Sequence, residues 1–297
     1  MTTALATRVA SKRRPLSFLL AIATAALLLA PAMVQAQVNL GTASNFGVLG
    51  ATPNVNNTGP TVVVGDVGVS PAASIIGFPP GSTTGTLQQG SAAAGTAQTD
   101  LGLALAATLV PACINLGAAD LGTLVLTPGV YCYSTSAQLT GNLTLNFLGD
   151  PNAAFLIRTG STLTTASNSS VLAINTGGAT CLPNVNWSIG SSATLGTGSQ
   201  IAGNILSQVS ITLTTGASLR GRALARTGTV TLDSNPIVGG CPVAAAVAGG
   251  PIPGGPIPTP ASFVSVPTLQ EWALIFLGLM LAGVGGWQVR RRAIAAR

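Results

Sequence analysis

The stretch that decides the fold reads STLTTAS at residues 161–167, and the phrase returns as ATLGTGS at 193–199, ITLTTGA at 211–217 and VTLDSN at 230–235. The step between copies is 32, then 18, then 19 residues. The long step aligns Phe155 with Trp187, Ile157 with Ile189, Thr165 with Thr197 and Ser167 with Ser199. Short strands that recur every 18–19 residues between turns are coils stacked on one another, the sequence signature of a solenoid. Strand side chains alternate faces. Leu163, Leu195, Leu213 and Leu232 therefore form an inward ladder, with Leu232 as its terminal member. Thr162, Thr194, Thr212 and Thr231 form an outward column. Thr162/Thr164 and Thr212/Thr214 are T-x-T pairs on the same face, and Thr194/Gly196 and Thr231/Asp233 continue the two columns. Thr165, Thr197 and Thr215 lie at the strand ends and extend that face.

Outward from this core, residues 121–238 read almost entirely as strand and turn, and residues 38–85 as short strands, the clearest being VVVGDVGV at 62–69. Between them, residues 86–110 are rich in alanine and leucine and stop at Pro111, which predicts a helix. Ala93, Ala97, Leu101, Leu105 and Leu109 fall four apart and give it a narrow apolar stripe. Small residues there suit close packing on a flat sheet.

Charge locates the ends. The chain has 297 residues and a net charge of +6, but only 6% of its residues are charged. Arg8, Lys12, Arg13 and Arg14 precede the first apolar run. Arg290, Arg291, Arg292 and Arg297 follow the last one. The body between them carries four arginines against five aspartates, a net −1. A nucleic-acid binder needs a basic patch on its folded domain, so nucleic acid is excluded as a partner. Residues 1–36 read as a cleaved signal peptide: a basic start, an apolar run, and small residues around Val34-Gln35-Ala36. Residues 37–241 are the folded domain. Residues 242–265 are a Pro/Gly/Ala linker that cannot make a core. Residues 266–297 hold an apolar stretch, 273–289, short for a transmembrane helix but capped by the arginines that hold its end in the cytoplasm.

Export puts Cys113, Cys132, Cys181 and Cys241 in an oxidising compartment, where an even count predicts two disulfides. Sequence proximity favours Cys113–Cys132 and Cys181–Cys241 among the possible pairings. The first would lock the crossing after the helix, and the second would staple an exposed end of the solenoid. The chain has no histidine and no C-x-x-C, so neither a metal site nor a cofactor is expected.

An exported solenoid could be a polysaccharide lyase or hydrolase. This one lacks the chemistry: no lysine follows Lys12, and the domain has five aspartates and no glutamate, spread over distant turns. A glycosidase needs two carboxylates facing one bond. Asp66 and Asp150 lie in turn sequences and Asp100 on the helix. The domain reads as a non-enzyme.

Two resemblances follow from particular residues. The tail, with Pro267, Thr268, Leu269, Glu271 and Trp272, and Val266 at the first position, resembles the bacterial Ile-Pro-Thr-Leu carboxy-terminal sorting signals. That resemblance implies cutting by an exosortase-type transpeptidase, a transient membrane anchor through the C-terminal helix, and delivery to the cell surface or extracellular matrix. The body resembles the microbial ice-binding family in LGTASNFGVLG at 40–50, GDVGVSP at 65–71, LTPGVY at 126–131, WSIGSSATLGTGS at 187–199 and GRALARTGTVTLD at 221–233. It implies an all-β-dominated fold: a right-handed discontinuous β-solenoid of triangular section with one long α-helix packed alongside.

The same resemblance makes the threonine face an ice-binding (antifreeze or ice-adhesion) surface formed by Thr162, Thr164, Thr194, Thr212, Thr214 and Thr231. Coils ~4.8 Å apart and strand residues ~6.7 Å apart suit ordered water. Arg220 and Arg222 spoil the adjoining face, and Arg222 also suits a coil corner, paired with backbone carbonyls. The alternative reading is a non-enzymatic surface adhesin or matrix scaffold that touches a surface polysaccharide.

Overall fold

The computed structural model describes residues 37–179 and 181–240. The signal peptide, the linker, the sorting signal and the 273–289 helix lie outside the described residues. Within them, three sheets form the three sides of a coil, with nine, seven and eight strands. Every strand pair is parallel, as stacked coils require. A typical turn of chain runs through Asn204–Ser207 on the first sheet, Ile211–Leu213 on the second and Ser218–Arg220 on the third. The corner from third to first sheet takes little chain. Gly203 and Gly221 stand there at φ +108° and +154°, and a Cβ on Gly221 would meet Gly203 O at 2.0 Å. Only glycine lets the coils stack so closely there.

The inward side chains make one apolar core. Phe147 and Phe155 are buried in it, with ring centroids 4.9 Å apart. Trp187 is fully buried, and its indole N–H donates to Ala202 O at 2.9 Å, so the ring loses no hydrogen bond by burial.

The stack does not follow chain order. Phe46–Gly50, Val55–Thr58 and Val62–Val64 make the first coil, and the chain then winds outward through Leu87–Gln89. Helix α1 (Ala92–Thr108) returns along the first sheet. The chain restarts at Ile114–Asn115 and winds back, until its last coil, beginning at Ala223–Ala225, pairs with the first. Leu232 is thus interior, opposite Asn57, and does not end the ladder as expected. The C-terminal end of the solenoid is likewise covered. Pro236–Val238 pairs with Val62–Val64, so the last described strand is not an open edge as expected. Sequence order hid this, because a coil's spatial neighbour need not be its neighbour in the chain.

The helix is shorter than expected. Ser91 caps it by accepting the Ala94 N–H at 3.1 Å. Its buried line is Ala94, Ala97, Leu101, Ala104 and Leu105, packed on Leu49, Leu206 and Leu224. Ala93 and Leu109 are exposed. A strict spacing of four drifts round a helix of 3.6 residues per turn, so the contact line must mix steps of three and four. Arg158 Nη1 closes the far end by donating to Thr108 O at 2.8 Å.

Cys113 and Cys132 are joined, with Cα atoms 5.8 Å apart, and lock the crossing after α1 as expected. Cys181 is also disulfide-bonded, while Cys241 lies outside the described residues.

Candidate functional site

The three outer faces differ. The first is covered through its middle by α1. The third presents Val62, Leu172, Ile174 and Arg220 to solvent. The second is open and carries the threonines.

Its register corrects the repeat alignment. Phe155 pairs with Val185, Ile157 with Trp187 and Leu163 with Ala193, a step of 30 residues rather than 32. A shift of two keeps each side chain on its face but moves it one pleat along. The repeated phrase aligned chemically similar turn residues, while the ladder follows the backbone. Thr164, not Thr162, therefore stands beside Thr194. The outward column reads Gln138, Thr164, Thr194, Thr212, Thr231, Asn56, Ile76. Four threonines sit in adjacent coils without a break.

Leu163 shares its inward column with Ala193, Ile211 and Val230. Leu195 and Leu213 are paired, and the step of 30 puts Thr165 beside Leu195. Thr165 is thus inside, only 3% exposed, and does not extend the face. Its hydroxyl accepts the Gly196 N–H at 2.9 Å. Thr197 and Thr215 are exposed at the strand ends, as expected.

The hydroxyls sort the six candidate residues. Thr164, Thr194, Thr212 and Thr231 hydrogen-bond through their side chains to no described residue, so these four hydroxyls are available to water. Thr162 donates to Ser136 Oγ at 2.9 Å, and Thr214 donates to Leu195 O at 2.8 Å. Thr162 and Thr214 flank the column, and their hydroxyls are engaged within the protein. Asn56 and Gln138 were missed by the sequence reading. Asn56 joins the column only because the last coil docks on the first, and no local signal announces that pairing.

The five aspartates work as local clamps. Asp100 accepts the Thr42 hydroxyl at 2.6 Å and the Thr42 N–H at 2.7 Å, and these bonds hold its carboxyl below the usual range. Asp66 accepts the Thr86 N–H and hydroxyl. Asp120 caps Gly122 and Thr140 backbone N–H groups. Asp150 accepts the Asn152 N–H. Asp233, one pleat from Thr231, accepts hydroxyl hydrogens from Thr215 and Ser234. Among the described residues no group of three His, Cys, Asp or Glu side chains is placed to hold a metal ion. Arg222 sits at a coil corner and donates from Nε to Ser44 O at 2.9 Å, as its corner position suggested.

Residues 49–238 match the family model described as ice-binding-like. The chain belongs to the ice-binding-like family. Within it, the chain is 55% identical over 205 residues to an ice-binding protein of Nostoc sp. (strain HG1), covering 68% of this chain and 74% of that one. It is 32% identical over 215 residues to an ice-binding protein of Flavobacterium frigoris (strain PS1). Among solved structures, an ice-binding protein from an Antarctic biological consortium aligns with a TM-score of 0.66 at 40% identity, over 69% of this chain and 92% of that one. The ice-binding protein of the Antarctic ascomycete Antarctomyces psychrotrophicus aligns at 0.65 and 36% identity, over 69% of this chain and 99% of that one. Residues 264–292 match the IPTL-CTERM motif.

Proposed function

We propose that this member of the ice-binding-like family is an exported, surface-sorted protein that binds ice through the outer face of its second sheet. One observation carries the choice of face: Thr164, Thr194, Thr212 and Thr231 stand in directly paired positions with their hydroxyls unengaged. The column repeats at ~4.8 Å. Each threonine offers a methyl that limits competing hydrogen bonds and a hydroxyl that anchors one water of an ordered layer. A single such bond contributes only ~0.5–1.5 kcal/mol net, so the contact must be collective. Thr162 and Thr214 act as flat flanks. No catalytic step is assigned, and the relatives named above are ice-binding proteins rather than adhesins. The tail's match supports processing by an exosortase-type transpeptidase after transient anchoring, with delivery to the cell surface. We take the winding as right-handed, as parallel crossovers overwhelmingly are.

The test is ice growth in a solution of residues 37–241. The alignment with the Antarctomyces protein, over 69% of this chain and 99% of that one, supports testing this domain by itself. The wild type should facet crystals and arrest them over a thermal gap. Thr212→Tyr at the middle of the column should abolish most of that gap, because a ring standing proud lifts Thr194 and Thr231 off the plane. Gln200→Tyr, the same bulk on the third sheet, should leave it intact. Round, freely growing wild-type crystals would refute ice binding. Shaping that survives Thr212→Tyr would refute this face.

A further inference from the structure

Arg222 is partly buried, and its two hydrogen bonds go to neutral acceptors. Nε donates to Ser44 O, and Nη1 donates to Asn204 Oδ1 at 3.0 Å. Asn204 is itself buried and held by donating to Pro183 O and Asn186 Oδ1, so its carbonyl is fixed on the guanidinium. Burial holds the Arg222 pKa below its ordinary value, and no carboxylate among the described residues bonds to the guanidinium. Nη2 bonds to no described residue. Gly240 keeps that nitrogen accessible, since a Cβ there would stand 2.7 Å from it.

Arg222 and the exposed Arg220 line one pocket of about 230 Å³, whose other walls include Leu182, Pro183 and Val238. Arg220, Leu182 and Val238 also line a groove of about 650 Å³ that runs on over the third sheet past Gln200, Ser218 and Thr176. One end of this cleft is therefore cationic and walled by Leu182, Pro183 and Val238, and its length is set with neutral hydrogen-bonding groups.

We propose that this corner binds a carboxylate-bearing sugar, the uronate unit of an acidic glycan, with its carboxylate between Arg220 and Arg222. A single negative charge meets the free edge of one guanidinium and the fork of another. A phosphate dianion brings a second charge that apolar walls would strip of water. The sugar ring rests on Leu182, Pro183 and Val238, and further units follow the groove, where Gln200, Ser218 and Thr176 meet their hydroxyls. The site is separate from the threonine sheet, so one molecule can hold ice on one side and a polymer on another. It does not depend on the ice reading.

The test is calorimetric titration of the full chain in neutral detergent with trigalacturonate, with maltotriose as the neutral control and inorganic phosphate as the plain anion. The expected result is saturable binding of trigalacturonate, none of maltotriose, and at least tenfold weaker binding by Arg220→Gln. Arg220 is exposed and its side chain hydrogen-bonds to no described residue, so this variant should fold. Arg222→Gln should also lose binding, but Arg222 tethers Ser44, so Arg220→Gln decides. Absence of trigalacturonate binding, or equal affinity in Arg220→Gln, would overturn the proposal. Phosphate binding as tightly as the uronate would reduce the corner to a general anion site and overturn the sugar assignment.

Discussion

Thr165→Val tests the ladder register on which the threonine column depends. The substitution keeps the shape of the side chain and exchanges its hydroxyl for a methyl. That hydroxyl accepts the Gly196 N–H at 2.9 Å, beside Leu195 and inside the coil. Leaving a buried donor without a partner costs ~1–3 kcal/mol. The added methyl, in apolar surroundings, offsets about 0.8 kcal/mol. The net loss is of order 1 kcal/mol, which lowers Tm by ~2–4 °C in a domain of this size. Thr164→Val, one residue earlier but exposed, should stay within about 0.5 kcal/mol of wild type. Urea denaturation of the two variants gives the comparison directly, through midpoint shifts at constant slope. Were Thr164→Val the costlier of the two, the facing of the strand would be wrong. If Thr165→Val were neutral, the step of 30 would be wrong. The repeat alignment with a step of 32 would then be restored, with Thr162 beside Thr194.

Leu213→Ala should cost ~2–5 kcal/mol, and Leu232→Ala about as much, because the first coil covers Leu232; paired denaturation curves showing a far cheaper Leu232 would contradict the docking of the last coil. Opening Cys113–Cys132 by a double serine substitution releases a loop of 19 residues and should cost ~3 kcal/mol, read from melting with and without reductant. At Asp120, burial raises the carboxyl pKa, but bonds from the Thr140 and Gly122 N–H groups outweigh it and the net shift is downward. A depressed carboxyl stabilises above its unfolded pKa, so Asp120→Asn should weaken the domain at neutral pH and flatten its acid limb below pH 3.8; an unchanged limb would show the clamp to be idle. Tyr133 is pushed up to about 12 by burial and then by Asp120. Its contribution is complete below pH 10 and is lost as pH rises through about 12, and Tyr133→Phe should remove that alkaline limb.

The solenoid was legible because two signals agree: a phrase recurring at 18–19 residues and leucines alternating with threonines inside it. Facing was legible for the same reason, since alternation survives any even error in register. The register of the long step was not. Thr162 and Thr164 both belong to STLTTAS, and only the pairing of Phe155 with Val185 distinguishes them. Local composition also announced the helix, which ends at Thr108 before Pro111, but its contact line depended on a sheet that the helix sequence does not encode. Asn56 could not be found, because its neighbour Thr231 lies 175 residues away and the two segments share no motif.

That distant pairing governs how the domain must come together. A continuous stack can grow from any coil, each added turn resting on the last. Here the first coil waits for Ala223–Ala225, so growth from either end leaves a gap that only the other end can fill. Contacts of such long sequence separation are slow to form. Losing a coil from the C-terminus would expose strand edges in the centre of the stack, and Asn56 would lose Thr231. The threonine column is therefore completed by the closing step itself: until the first and last coils meet, no copy of the surface exists at full length.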